Sequence, residues 1–302
     1  MRKYSNNSDL YTDPQTGVLK NKLGYTTQES LEHAEAHSVA MRSHEIGLKP
    51  IAGNFDLSHL QEIHKKLFSD VYEWAGEIRR VDIMKGATRF AHHAFIESET
   101  KKITDQLKHE QCLRGLSAEN FSQRAGHYLG ELNVVHPFRE GNGRTLREYV
   151  GQLAKQAGYE ITWEGIDRQS MTQASIDAYQ GSSDLMAKLI RENLVDSDRE
   201  LALQLADDKL GKPPTSIIEP QQGKIYAGKV LAVTKRYAAQ INDKTHELVL
   251  HQRQALPHVQ ENSTVEITYL TRDTGFIRNL PNTEHTHNHT LEQSRDFGDR
   301  ER

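Results

Sequence analysis

A single cysteine, Cys112, stands among 302 residues, which excludes an internal disulfide framework and any zinc site built on several thiolates. Long apolar runs are missing too. No stretch reaches the roughly 18 residues that a membrane helix requires, so no membrane segment is expected. The opening residues, Met1-Arg2-Lys3-Tyr4-Ser5-Asn6-Asn7, lead into no apolar stretch, and a secretory signal is not expected either. There is little charge of one sign: the formal net charge is −4, which argues against a general nucleic-acid coat. What is present is a polar chain, 36% hydrophobic and 26% charged, with enough apolar side chains to form a core. Its length suits two ordinary domains, and its thiol content suits a reducing, cytoplasmic compartment.

Hydrophobic periodicity divides the chain. From about Ser30 to Leu210 the apolar residues recur at helical spacing. Leu57, Leu60, Ile63 and Leu67 form one stripe, with Asp56 or Ser58 as its cap. Phe121, Ala125, Leu129, Leu132 and Val135 form a second, and Leu146, Val150, Leu153 and Ala157 a third that ends at Gly158. Between Arg79 and Phe95 the pattern alternates around Lys85-Gly86, which predicts a short hairpin inside the helical domain. Gly211-Lys212-Pro213-Pro214 reads as a linker. Beyond it the period becomes that of strands: one long strand over Lys224 to Ile241, then Glu247 to His251, Thr264 to Thr271 and Phe276-Ile277. So many short strands in so few residues predict a small barrel of the OB type. The expected organisation is therefore an N-terminal extension over 1–29, a mainly α-helical domain over 30–212, the barrel over 213–280 and a disordered tail over 281–302.

The chemistry concentrates in His136-Pro137-Phe138-Arg139-Glu140-Gly141-Asn142-Gly143-Arg144-Thr145-Leu146-Arg147. Gly141, Asn142 and Gly143 are the residue types that best tolerate positive φ, and such a turn aims successive N–H groups into one anion-binding nest. A helix starting behind the turn adds the positive end of its dipole. Arg144 and Arg147, three apart, share a helix face on which two guanidinium forks can grip phosphate oxygens. Glu140, beside a polyphosphate, is the natural holder of Mg²⁺. His136 supplies a base with a pKa near working pH. A nucleoside triphosphate, a metal and a base together describe phosphoryl or nucleotidyl transfer. Other phosphate motifs fail: the third glycine of a dinucleotide fingerprint is missing, and no Gly-Lys pair is followed by Ser or Thr.

This stretch resembles the Fic-domain signature HPFx(D/E)GNGRxxR at every specified position. Val71-Tyr72-Glu73-Trp74-Ala75-Gly76-Glu77-Ile78-Arg79 is similar to the VYxWAGxxR segment upstream of it in these proteins. The resemblance covers roughly residues 20 to 210. A Fic domain followed by an OB-like barrel looks like the type IV-secreted Bartonella effectors, which implies delivery into a host cell. The family implies Mg²⁺-dependent transfer of AMP from ATP to a hydroxyl of a target protein. His136 would be the base and Glu140 the Mg²⁺ holder. Gly141, Asn142 and Gly143 would cradle the α- and β-phosphates, while Arg144 and Arg147 hold the β/γ end. Phe138 would be a core anchor. The hairpin over Arg80 to His93 resembles the family flap, which clamps a target segment as an added strand, with Lys85, Gly86 and Thr88 at its tip near nucleotide or target.

Many Fic proteins carry an inhibitory helix with the motif (S/T)xxxE(G/N). No Glu-Gly or Glu-Asn pair in this chain has Ser or Thr four residues before its glutamate. A separate small inhibitory protein is therefore the expected restraint. Tyr72 and Trp74 read as core aromatics, and His92-His93 as surface. Lys224, Lys229, Lys235 and Arg236 interleave with Tyr226 and Tyr237, yet a structural or protein-binding barrel is preferred to a nucleic-acid partner. Two alternatives stay open: a Fic enzyme moving UMP or phosphate, and an idle scaffold acting as an adaptor through its barrel.

Overall fold

The structure is a computed structural model that describes residues 9–271 and 274–280. The expected tail over 281–302 lies outside them. The chain divides into two compact units between Ser197 and Asp198.

In the first unit α1 (Gln28–Leu48) starts at Thr27, whose hydroxyl accepts the Ser30 N–H, and α2 (Leu57–Phe68) starts at Asp56, whose carboxylate accepts from His59. Next comes a hairpin of β1 (Met84–Lys85) and β2 (Thr88–Arg89). Four further helices follow: α3 (Ile96–His109), α4 (Ala118–Val135), α5 (Asn142–Ala157) and α6 (Arg168–Tyr179). Helix α7 (Asp184–Glu192) follows, and β3 (Glu160–Ile161), between α5 and α6, pairs with β4 (Leu194–Val195). Helix α4 is the hub, packed against α3, α5, α6 and α7. Its stripe of Phe121, Ala125, Leu129, Leu132 and Val135 is buried, as the period of the sequence predicts. Gly126 permits the approach of α7, since a Cβ there would lie 2.7 Å from the backbone nitrogen of Ala187. Of the stretch expected as an N-terminal extension, the described residues 9–29 are part of this unit, because Tyr11 and Val18 join its core.

The second unit begins earlier than the expected boundary after Lys212. Helix α8 (Ser197–Asp207) places Ala202 and Ala206 against Leu231, Ala239, Leu248 and Leu250 of the sheet, which draws it out of the helical unit. The sheet consists of β5 (Ile217–Ile218), β6 (Ile225–Val233), β7 (Tyr237–Asn242), β8 (Leu248–Gln252), β9 (Thr264–Thr271) and β10 (Thr274–Asn279), in the order β10-β9-β6-β7-β8-β5. Strands β6, β7 and β8 form a meander, and β9 returns beside β6, where a barrel of the OB type is expected. The pairing that would close it is absent among the described residues: β10 is one edge, and β5 covers β8 in parallel at the other. The single long strand expected over 224–241 is two strands. Asp198 fixes the turn between them by accepting from the Thr234 hydroxyl and the Arg236 N–H, 2.8 and 2.7 Å. No glycine, proline or asparagine marks that turn in the sequence.

Candidate active site

The end of α4 sets the geometry of the motif. His136 closes the helix in the left-handed region, φ 52° and ψ 62°, while its N–H still donates to Leu132. Its Nδ1 lies 3.0 Å from the carbonyl of Asn133. A carbonyl only accepts, so Nδ1 carries the proton and Nε2 the lone pair. Phe90, just past β2, stacks on the imidazole. Burial foremost pushes the His136 pKa down to about 3, with a last contribution from the charge of Lys85. The imidazole is therefore neutral at physiological pH.

Arg79 secures this corner from below. Its side chain is wholly buried and donates to the carbonyls of His136, Val81 and Val135 at 2.8, 2.7 and 3.2 Å, so one guanidinium ties the hairpin base to the end of α4. The backbone N–H of Arg79 donates to Pro137 as well.

After His136 the loop folds onto α2. Phe138 is fully buried, as expected, and His64 stacks on it with ring centroids 3.9 Å apart. His64 accepts the Gly76 N–H at Nδ1 and donates from Nε2 to the carbonyl of Glu140. Burial pushes its pKa down to about 3. Gly141, φ 82°, lies so close to Phe68 that a Cβ would stand 2.3 Å from the ring. Asn142 spends both ends of its amide on the backbone of Phe138, at 2.8 and 2.7 Å. What Asn142 can present to an anion is therefore its N–H. Among the described residues no side chain caps the start of α5, so the first-turn N–H groups of Asn142 and Gly143 are positioned for a ligand.

Arg144 and Arg147, expected to share one task, are in different situations. Arg144 pairs with Glu35 of α1, lies over the Phe68 ring, and has Nη2 3.5 Å from Glu140 Oε1. Arg147 has no carboxylate in ion-pair range among the described residues, and it borders a recess with Asn133, Gly143 and Ser175. Burial, then the charge of Arg144, lowers its pKa. Glu140 is buried, and its Oε1 accepts the Gly141 N–H at 3.0 Å.

Lys85 and Gly86 are exposed at the hairpin tip, and Thr88 is half-buried. At the hairpin base Asp82 accepts from the backbone and Nδ1 of His93, 2.8 and 2.9 Å, and lies 3.3 Å from His92 Nε2. Four supporting residues escape a reading by motif: Glu35, His64, Asp9 and Arg139. Asp9 accepts both Nε and Nη2 of Arg139, a variable position of the signature, in a buried pair. Burial raises the Asp9 pKa and the Arg139 contacts outweigh it, leaving it lowered. Nothing in the spacing of Glu35 or Asp9 announces them, because their partners lie 109 and 130 residues away.

Residues 54–153 match the Fic/DOC family, and residues 225–275 match the KfrB domain. The chain is 58% identical over 196 residues to the protein adenylyltransferase VbhT of Bartonella schoenbuchensis, a match covering 65% of this chain and 41% of that protein. This chain thus spans less than half of that relative. The probable protein adenylyltransferase Fic of Escherichia coli is 38% identical over 179 residues, covering 59% of this chain and 88% of its own. Among solved structures, the BepC effector of Bartonella tribocorum with bound AMPPNP superimposes with a TM-score of 0.58 at 30% identity. That match covers 62% of this chain and 96% of the effector chain.

Proposed function

The chain belongs to the Fic/DOC family, and from that premise we propose that it is a protein adenylyltransferase using ATP. His136 Nε2 takes the proton of a target hydroxyl. The hydroxyl oxygen then attacks the α-phosphorus, the bond from that phosphorus to the bridging oxygen of the β-phosphate breaks, and pyrophosphate leaves. The observation that carries this reading is the neutral His136 imidazole, oriented by the Asn133 carbonyl and followed within one loop by the uncapped start of α5. The N–H groups there cradle phosphate oxygens, and Arg147 takes the β/γ end.

Glu140 suits a magnesium ion: it is a buried carboxylate, a hard oxygen donor, set at the head of the phosphate cradle, and Mg²⁺ usually takes one or two carboxylates together with substrate phosphates. When bound, the ion would neutralise charge on the phosphate oxygens as the leaving group departs. Glu140 would hold it, with Arg144 setting the carboxylate.

The target segment docks along the hairpin of β1 and β2 by adding its backbone as a strand, next to Lys85, Gly86 and Thr88. Restraint comes from a separate small protein whose carboxylate occupies Arg147, a reading supported by the lack of a carboxylate in ion-pair range of Arg147 among the described residues. No helix among the described residues is long and apolar enough to cross a membrane. We place the chain in the cytoplasm of its producer before delivery through a type IV secretion system, a reading that the likeness to a translocated effector supports.

Incubation with ATP labelled at the α- or the γ-phosphate tests the reaction. The α-label should enter protein and the γ-label should not. Transfer of the γ-label would assign phosphorylation, and label from UTP would assign UMP transfer. His136→Ala should abolish transfer, a loss of roughly 10²–10⁴ from the missing base, with ATP affinity kept. Normal turnover by that variant would reject the assignment.

A further inference from the structure

Helix α1 lies outside the signature, yet it sends one carboxylate into the site. Glu35 is buried, and burying a carboxylate is costly unless its charge is paired and its oxygens are hydrogen-bonded. Both conditions are met: one oxygen accepts the Tyr72 hydroxyl and the other pairs with Nη2 of Arg144. Burial first, and the Glu35 charge second, raise the Tyr72 pKa, so the hydroxyl keeps its proton and remains a donor.

That same Nη2 lies 3.5 Å from Glu140 Oε1. One guanidinium therefore stands between two buried carboxylates, in contact with Glu35 and at longer range from Glu140. Phe68 holds it from another side, 4.8 Å from guanidinium carbon to ring centroid. Arg144 and Glu140 are four apart across the start of α5, a spacing at which an arginine released from Glu35 can close onto Glu140 as a two-pronged pair. Such a pair would engage the oxygens that a divalent cation needs.

We propose that Glu35 is a positioning residue for the metal-binding carboxylate: by holding Arg144, it sets how closely that guanidinium approaches Glu140, and so the affinity of the site for Mg²⁺ in the presence of nucleotide. The inference rests on the assignment of Glu140 made under Proposed function. It gives Arg144 a role apart from that of Arg147, in keeping with the different surroundings of the two arginines.

The test is binding of Mn²⁺, as a spectroscopic stand-in for Mg²⁺, to the full chain with a non-hydrolysable ATP analogue, followed by electron paramagnetic resonance. Glu35→Gln keeps the size of the side chain and removes its charge. Mn²⁺ affinity should fall about tenfold, the lower end of what the loss of a supporting partner of a metal ligand usually costs. Affinity for the analogue alone, measured by calorimetry in EDTA, should not change. Glu35→Asp, which keeps the charge, should fall between the two. Because the effect passes through Arg144, adding Glu35→Gln to Arg144→Gln should cause no further loss. If Glu35→Gln alone fails to fold, Glu35→Asp, which keeps the charge on a shorter side chain, carries the test, and unchanged Mn²⁺ affinity in it would overturn the proposal. Unchanged Mn²⁺ affinity in folded Glu35→Gln, additive losses in the double variant, or an equal fall in metal-free nucleotide affinity would each overturn the proposal. If the unaltered chain binds no Mn²⁺ with the analogue, the metal role of Glu140 falls and this inference with it. Normal metal behaviour without AMP transfer would count against the proposed reaction alone.

Discussion

Phe90 lies flat on the imidazole of His136, ring centroids 3.8 Å apart and planes 17° from parallel. A residue of the hairpin thus forms one wall of the environment that keeps the histidine neutral. Because burial is the leading cause of the depressed pKa, the acid limb of kcat/KM should lie well below the ordinary histidine value of about 6.5. Phe90→Ala admits water to one face of the ring, so the His136 pKa should rise and the acid limb should move to higher pH. A pH–rate profile of the two proteins checks this, and coincident acid limbs would count against it.

Arg147 has no carboxylate in ion-pair range among the described residues and borders the recess beside Gly143. Arg147→Ala should weaken ATP about tenfold or more while leaving AMP nearly unaffected, since a charge-assisted bond to phosphate is worth about 1.5–3 kcal/mol. Calorimetry with both nucleotides decides it. Equal losses would place the guanidinium near the nucleoside instead.

Arg79 donates to four carbonyls at once, those of His136, Val81, Ala91 and Val135. Arg79→Met matches its length and supplies no donor. Each orphaned acceptor costs about 1–3 kcal/mol, so the helical unit should lose at least about 3 kcal/mol of stability in denaturant unfolding. Transfer activity should fall with it, because the corner that holds His136 loses its tie to the hairpin.

Three buried histidines, His64 and His136 in the helical unit and His251 in the sheet unit, have pKa values pushed down to about 3 by burial. An unfolded histidine binds a proton near pH 6.5 while the folded one stays neutral until about 3. Stability is therefore fully present above pH 6.5 and declines as the pH falls from there towards 3. Between pH 7.5 and 5 each contributes a loss of about 2 kcal/mol, and buried His59, whose pKa burial also lowers, adds to it, so the helical unit should lose at least about twice what the sheet unit loses. Urea unfolding at both pH values, followed separately for the two units, measures it. His251→Gln should flatten the response of the sheet unit.

Local rules carried much of this protein in the sequence itself. Asp56 caps α2 and Gly158 ends α5 because such residues satisfy helix ends wherever the rest of the chain lies. The hairpin around Gly86 and the spacing from His136 to Arg147 were legible for the same reason: each is a property of neighbours in sequence. Tertiary structure decided the rest. Only the packing of α1 and α2 against α5 brings Glu35, Tyr72 and Phe68 to Arg144, and only the fold separates its task from that of Arg147. The break between β6 and β7 belongs to the same class, because Asp198, 36 residues before Thr234, makes the turn. A charge paired across a hundred residues leaves no period in the sequence. Its energy exists only after the core has excluded water and made the pairing obligatory.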